Sequence, residues 1–186
     1  LSPLDLAYRA VNENTIQITS RAALESRPEL EFYSVAPQID GGADPEKLPT
    51  TWDGIIDLAK KIKASAPDVN GITYAWDITG NWLWQAPVFS RGGSMLNADE
   101  TKVAFNGPEG QFAIRTLARL VSEGGMPNLD QPAMRAAFAA GKTGIHVTST
   151  SDLNKVTQMV GDKFALKTHT FPDVVANTGR LPAGGN

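Results

Sequence analysis

The residues best suited to hold a ligand fall in two clusters far apart along the chain. The first is an aromatic run, Trp76, Trp82, Trp84 and Phe89. Indole rings offer flat apolar faces for the C–H faces of a sugar ring, whose hydroxyls need a rim of hydroxyl, amide and charged partners. The second cluster is Thr148-Ser149-Thr150-Ser151, an unbroken run of hydroxyls. It lies between a strand pattern and a helix pattern, where the free N–H groups of a helix start add donors. Ser151 is expected to cap that helix, and the other hydroxyls exceed what capping needs. Trp82 and Trp84 share a face on a strand but diverge by about 200° on a helix. A helix therefore lets one of them face a ligand, and Trp82 is the better placed; a core position for both is the competing reading. Arg91-Gly92-Gly93 offers a cation and accessible amides, or simply a helix C-cap.

Other constellations do not assemble into chemistry. Gly141-Lys142-Thr143 echoes a phosphate loop, but here a helix precedes it and a strand follows, the reverse of the order that aims backbone amides at phosphates. His146 and His169 both sit in strand patterns, with no metal-ligand spacing and no nucleophile elbow elsewhere. The 20 carboxylates include no spacing that singles out an acid–base pair. With no cysteine at all, thiolate metal sites, Fe–S clusters and thiol catalysis are excluded. An enzyme is not expected, and neither is a cofactor.

Charge narrows the partners. A net charge of −3 with a pI near 5.4 gives no basic surface for phosphate backbones, so no nucleic acid is expected. The chain is 41% apolar and 20% charged over 186 residues, a globular composition with enough length for a substantial core. No run of about 18 apolar residues suits a membrane span. The chain opens Leu1-Ser2-Pro3 without a charged and apolar leader, so any export signal lies outside it or has been removed.

The elements that must position the two clusters are mostly legible. Residues 1–35 form an N-terminal segment of unassigned pairing, with a strand-like alternation over Thr15–Thr19. Pro37 to Pro49 reads as loop. Thr50 caps a helix whose inner face carries Trp52, Ile55, Ala59 and Ile62, ending before Pro67. Gly71 to Trp76 reads as a buried strand, residues 80–90 as a short helix, and Thr101 to Phe105 as a short strand. A helix opens at Pro108, with Phe112, Ala113, Leu117, Leu120 and Val121 inward, and stops at Gly124-Gly125. Another begins near Asp130, presents Met134, Ala137 and Phe138, and stops at Gly141. Thr143 to Thr148 is a strand, Asp152 to Val160 a helix ended by Gly161, and Lys163 to Phe171 a strand. Strand, polar turn, helix, strand is a βαβ unit, so the class is α/β with a partly parallel sheet flanked by helices.

In this order the motifs form a known pattern. The stretch from Asp44 through Pro49-Thr50-Thr51-Trp52 to Ile62, the aromatic segment closing at Gly92-Gly93, and the helix after Gly107-Pro108 come in family order. They are followed by Ala137-Phe138 through Gly141 to Ile145, and by Phe171-Pro172 and Leu181-Pro182. Together they resemble the extracellular solute-binding proteins of sugar-type ABC importers, the maltose-binding-protein-like family, over residues 32–186. The resemblance implies two α/β lobes that close on a solute and dock on the membrane subunits of a permease. It further implies an aromatic near Trp82 stacked on a sugar and the turn Ser149–Ser151 reaching the ligand.

Residues 36–186 then correspond to the second lobe, truncated, excised or rearranged, since the segment before Phe32 does not match a first lobe. The expected function is binding of a carbohydrate or polyol for ABC import in the periplasm or outside the cell. The candidate ligand contacts are Trp82, Trp84, Arg91, Gly92, Ser149, Thr150 and Ser151. A single lobe holds half a cleft, so tight two-sided enclosure is not available to it alone. The alternative is a structural or oligomerising module that uses the exposed half-cleft as an interface between copies.

Overall fold

A computed structural model describes residues 32–34, 48–77, 80–164 and 166–182. The strand-like alternation at Thr15–Thr19 and most of the Pro37–Pro49 loop lie outside the described residues. Strand β1 (Phe32–Ser34) is followed by α1 (Trp52–Ser65), β2 (Asn70–Tyr74), α2 (Gly80–Ser90), α3 (Pro108–Ser122) and α4 (Gln131–Ala139). Then come β3 (Thr143–Val147), one 3-10 turn (Thr150–Asp152), α5 (Leu153–Val160) and β4 (Lys167–His169).

Helix α1 forms where the apolar period predicts, and Trp52, Ile55, Ala59 and Ile62 are all buried. Its cap is Thr51, one residue later than the sequence suggests: the Thr51 hydroxyl accepts from the Gly54 amide at 3.2 Å. A second cap comes from the far end of the chain, where the Asp173 carboxylate accepts from the Trp52 amide at 2.9 Å. In α4, Asp130 caps as its side chain accepts from the Ala133 amide at 2.8 Å. Gly141, with φ +71, ends the inter-element turn that follows.

The strands join in the order β2-β3-β1-β4. β2 and β3 are parallel, with Ile72 opposite Ile145 and Tyr74 opposite Val147. β1 runs antiparallel to both β3 and β4, with Tyr33 opposite His146 on one side and Thr168 on the other. β3 and β4 therefore point the same way with β1 between them, as a β3-α5-β4 crossover unit requires. The α/β class with a partly parallel sheet holds.

Three expected elements differ. Residues 101–105 make only an isolated bridge, Val103 to Leu96, inside an exposed loop. The last strand is confined to Lys167–His169 rather than running from Lys163 to Phe171. β2 stops at Tyr74, and Trp76 stands 47% exposed beyond it rather than buried within it.

The main core packs Trp52, Ile55, Ile56, Ile72, Tyr74, Leu83, Leu120, Met134 and Ile145. The Trp52 ring meets Tyr74 at 5.9 Å and Phe171 at 5.3 Å between centroids. A smaller cluster of Phe138, Ala139, Val156 and Val160 joins α4 to α5. Val121, expected inside, is 56% exposed: it faces a surface cavity instead of the core. No helix among the described residues is long and apolar enough to cross a membrane.

Candidate functional site

Because β2 and β3 are parallel, their C-terminal ends open on one edge, where α/β sheets place ligands. The Ala75 amide donates to the Val147 carbonyl at 2.9 Å and keeps the two ends together. Beyond β2 come Trp76 and Asp77; beyond β3 come Thr148 and the hydroxyl turn. The indole of Trp76 borders a cavity of about 280 Å³ that is also lined by Val121, Met126, Pro127 and Asn128.

The hydroxyl turn is built as a 3-10 turn leading into α5. Ser149 is its cap, accepting from the Ser151 amide at 3.3 Å and from the Ser151 hydroxyl at 3.0 Å. The expected cap, Ser151, is therefore two residues too late, because the chain begins to coil before α5 itself starts. Ser149 and Thr150 are half-buried and Ser151 is exposed. Thr148 is fully buried, and its hydroxyl donates to Asp152 at 2.9 Å.

Helix α2 carries both candidate indoles. On a helix the two diverge, and Leu83 between them is fully buried. Trp82, half-buried, stands in the first turn next to the β2 end. Trp84, also half-buried, sets its ring edge-on to Phe105 at 5.3 Å, which turns it toward the 94–107 loop.

Arg91 and Gly92 follow the opposite end of α2, about 13 Å of helix from Trp82. The Arg91 guanidinium lies 4.2 Å over the Phe112 ring and 4.0 Å from the Asp173 carboxylate. Gly92 takes φ +82 and lies against Thr178. Nearby, the amides of Val175 and Arg180 donate to the Ser90 and Phe89 carbonyls at 2.8 and 2.9 Å. These contacts make Arg91 and Gly92 part of the junction between α2 and the C-terminal segment. Trp82 thus stands in the first turn of α2 and the Ser149–Ser151 turn follows β3, while Arg91 and Gly92 lie at the other end of α2 from Trp82.

Sequence patterns alone missed a buried polar group beneath the hydroxyl turn. Asp152 accepts from Arg135 at 2.6 Å, from the Gln131 side chain at 3.1 Å and from Thr148 at 2.9 Å. The Gln131 amide in turn donates to Asp77 at 2.8 Å. The available signal was Gln131 and Arg135 at i, i+4 on the same stripe as Met134 and Phe138, polar residues on a face that must be buried.

His146 is wholly buried in β3, its Nδ1 2.9 Å from the Thr73 hydroxyl and its ring 5.3 Å from Phe138. Burial pushes its pKa down to about 4. Among the described residues no group of three acidic or histidine side chains could hold a metal ion.

A sequence model of the bacterial extracellular solute-binding protein family matches residues 18–180. The chain belongs to this family. Solved structures of solute-binding proteins share its fold. An ABC transporter solute-binding protein from Thermotoga lettingae TMO, bound with alpha-D-tagatose, superposes with a TM-score of 0.60 at 20% identity. The match covers 81% of this chain and 44% of that one. The cyclic alpha-maltosyl-1,6-maltose binding protein of Arthrobacter globiformis gives 0.62 at 23% identity, over 82% of this chain and 39% of its own. The GacH receptor of Streptomyces glaucescens GLA.O, solved unliganded and with acarbose, gives 0.65 at 16% identity, over 81% and 39%. The chain therefore spans less than half the length of these structures. No curated protein sequence matches it.

Proposed function

We propose that the chain is one lobe of a carbohydrate- or polyol-binding protein serving an ABC importer in the periplasm or outside the cell. What supports this reading is the shared edge of β2 and β3, with Trp76 exposed just beyond β2 and the hydroxyl turn following β3. Trp82 stacks on a sugar face, and Ser149, Thr150 and Ser151 bond its hydroxyls. Trp84, Arg91 and Gly92 lie further out, as a flank that a longer solute reaches. Solved structures that share the fold include one bound with alpha-D-tagatose, a cyclic alpha-maltosyl-1,6-maltose binding protein, and the solute-binding protein RafE in complex with raffinose. No cofactor enters the reading, and the membrane subunits of a permease are its protein partners.

The expected strength follows from the geometry. One indole face covers about 50–100 Å² of sugar, about 1–2 kcal/mol of apolar contact, and two or three hydrogen bonds add about 1 kcal/mol each. These gains total about 3–5 kcal/mol, so once the loss of rotational and translational freedom is subtracted, binding by this lobe alone is weaker than millimolar. Titrating maltose, raffinose and D-tagatose against tryptophan fluorescence tests this. A saturable change that Trp82→Ala abolishes supports it; an unchanged response in Trp82→Ala removes Trp82 from the site.

The oligomerising alternative draws on a specific feature, the exposed Trp76 and Val121 beside the open cavity. Light scattering separates the two. A stable dimer that shows no response to sugar, and that Trp76→Ser dissociates, favours assembly through this edge.

A further inference from the structure

We propose that Asp152 is a positioning residue, holding the hydroxyl turn and the Trp76–Asp77 segment in fixed relation. The inference rests on the proposed sugar-binding role of that turn. Asp152 is 8% exposed, Arg135 9%, Gln131 4% and Thr148 0%, so none of the group presents its polar end to a ligand. Three donors converge on the one carboxylate. Arg135 Nη1 reaches Oδ1 at 2.6 Å, while Gln131 Nε2 and Thr148 Oγ1 reach Oδ2 at 3.1 and 2.9 Å. The Asp152 amide also closes the turn, donating to the Ser149 carbonyl at 2.9 Å.

The donors come from different elements. Gln131 and Arg135 belong to α4, Thr148 follows β3, and Asp152 ends the 3-10 turn. The Gln131 amide, at the first residue of α4, is held by Asp77 Oδ2 at 2.8 Å, immediately after Trp76. Asp77, Gln131, Asp152 and Thr148 thus form a continuous polar strap beneath the open edge. It runs from the residue beside the exposed indole to the residues beside Ser149.

Stability alone does not explain this arrangement. A buried ion pair loses hydration on both sides, and apolar residues of the same volume often serve packing as well or better. What convergent hydrogen bonds add is direction, since each fixes an angle as well as a distance. A carboxylate here allows one placement of Ser149–Ser151 against α4 and β3. The neighbouring hydroxyls then meet a ligand already ordered, and the ordering entropy is not charged to binding.

The test uses Asp152→Asn, which removes the charge, and Thr148→Val, which keeps the shape and loses only the tie to β3. Amide exchange at residues 149–153 is compared with exchange in α1, and maltose, raffinose and D-tagatose are titrated into each protein. We expect both variants to raise exchange in the turn by about tenfold more than in α1 and to weaken the sugar response by about fivefold or more. Thr148→Ser, which restores the hydroxyl, returns both toward wild type. Exchange that is unchanged in Thr148→Val, or that rises equally in α1, overturns the inference. If the wild-type chain shows no response to any of the sugars, the functional reading fails, and exchange in the turn alone decides whether Asp152 positions it.

Discussion

The hydroxyl of Tyr74, the last residue of β2, donates to the carbonyl of Leu83 in α2. That carbonyl would ordinarily accept from the amide four residues on, which is residue 87, and residue 87 is a proline inside the helix. The strand therefore supplies the donor that the helix lacks. The same bond fixes the first turn of α2, and with it Trp82, to the end of β2.

Tyr74→Phe leaves a buried carbonyl without this donor and should cost about 1–3 kcal/mol in urea unfolding. In a Pro87→Ala background the helix regains its own amide at that carbonyl, and the same substitution should cost clearly less. Equal costs in the two backgrounds would show that the carbonyl is not what Tyr74 stabilises.

His146 predicts an acid limb in stability. Its folded pKa lies near 4 against 6.5 for the free side chain, chiefly through burial; Asp152 raises it and Arg135 lowers it by smaller effects. As pH falls below about 6.5, the unfolded chain takes up a proton that the folded chain resists. The contribution is complete above pH 6.5 and is lost progressively down to about pH 4. At about 1.4 kcal/mol per unit it amounts to about 3 kcal/mol, of which about 2 kcal/mol goes between pH 6.5 and 5. Unfolding midpoints across that window should show the slope, and His146→Gln should flatten it.

Two glycines separate a packing requirement from a conformational one. A Cβ on Gly71 would lie 2.3 Å from the Gly124 carbonyl oxygen and 2.4 Å from that of Ala59, both backbone atoms that cannot rotate aside. Gly71→Ala should cost about 3 kcal/mol or more, or prevent folding. A Cβ on Gly141 meets nothing within 4 Å, so only its φ of +71 opposes a side chain. Gly141→Ala should cost about 1–2 kcal/mol. Thermal or urea midpoints of the two variants measure the contrast.

Local patterns revealed what local physics decides. The inner face of α1, the helix start near Asp130, the Gly141 stop and the β3-α5 order each depend on residues within a turn or two of one another. What depends on distant partners was not legible. Phe32–Ser34 is a strand because β3 and β4 lie on either side of it. Val103, with its strand-like neighbours, finds only Leu96 to pair with and stays in a loop. Val121 has the right helical phase for the core but meets the cavity beside Trp76. At the site, aromatic and hydroxyl types pointed to the open edge, while the Asp77–Gln131–Asp152 strap joins residues 54 and 21 positions apart that share no motif.

The central claim is that sugar meets this chain at the joint edge of β2 and β3. Amide and indole chemical shifts followed during titration with maltose, raffinose and D-tagatose test it most directly. The account predicts saturable shifts concentrated at Trp76, Trp82 and Thr148–Ser151. Shifts confined to the 94–107 loop or to the Arg91–Asp173 junction, with that edge unmoved, would contradict it.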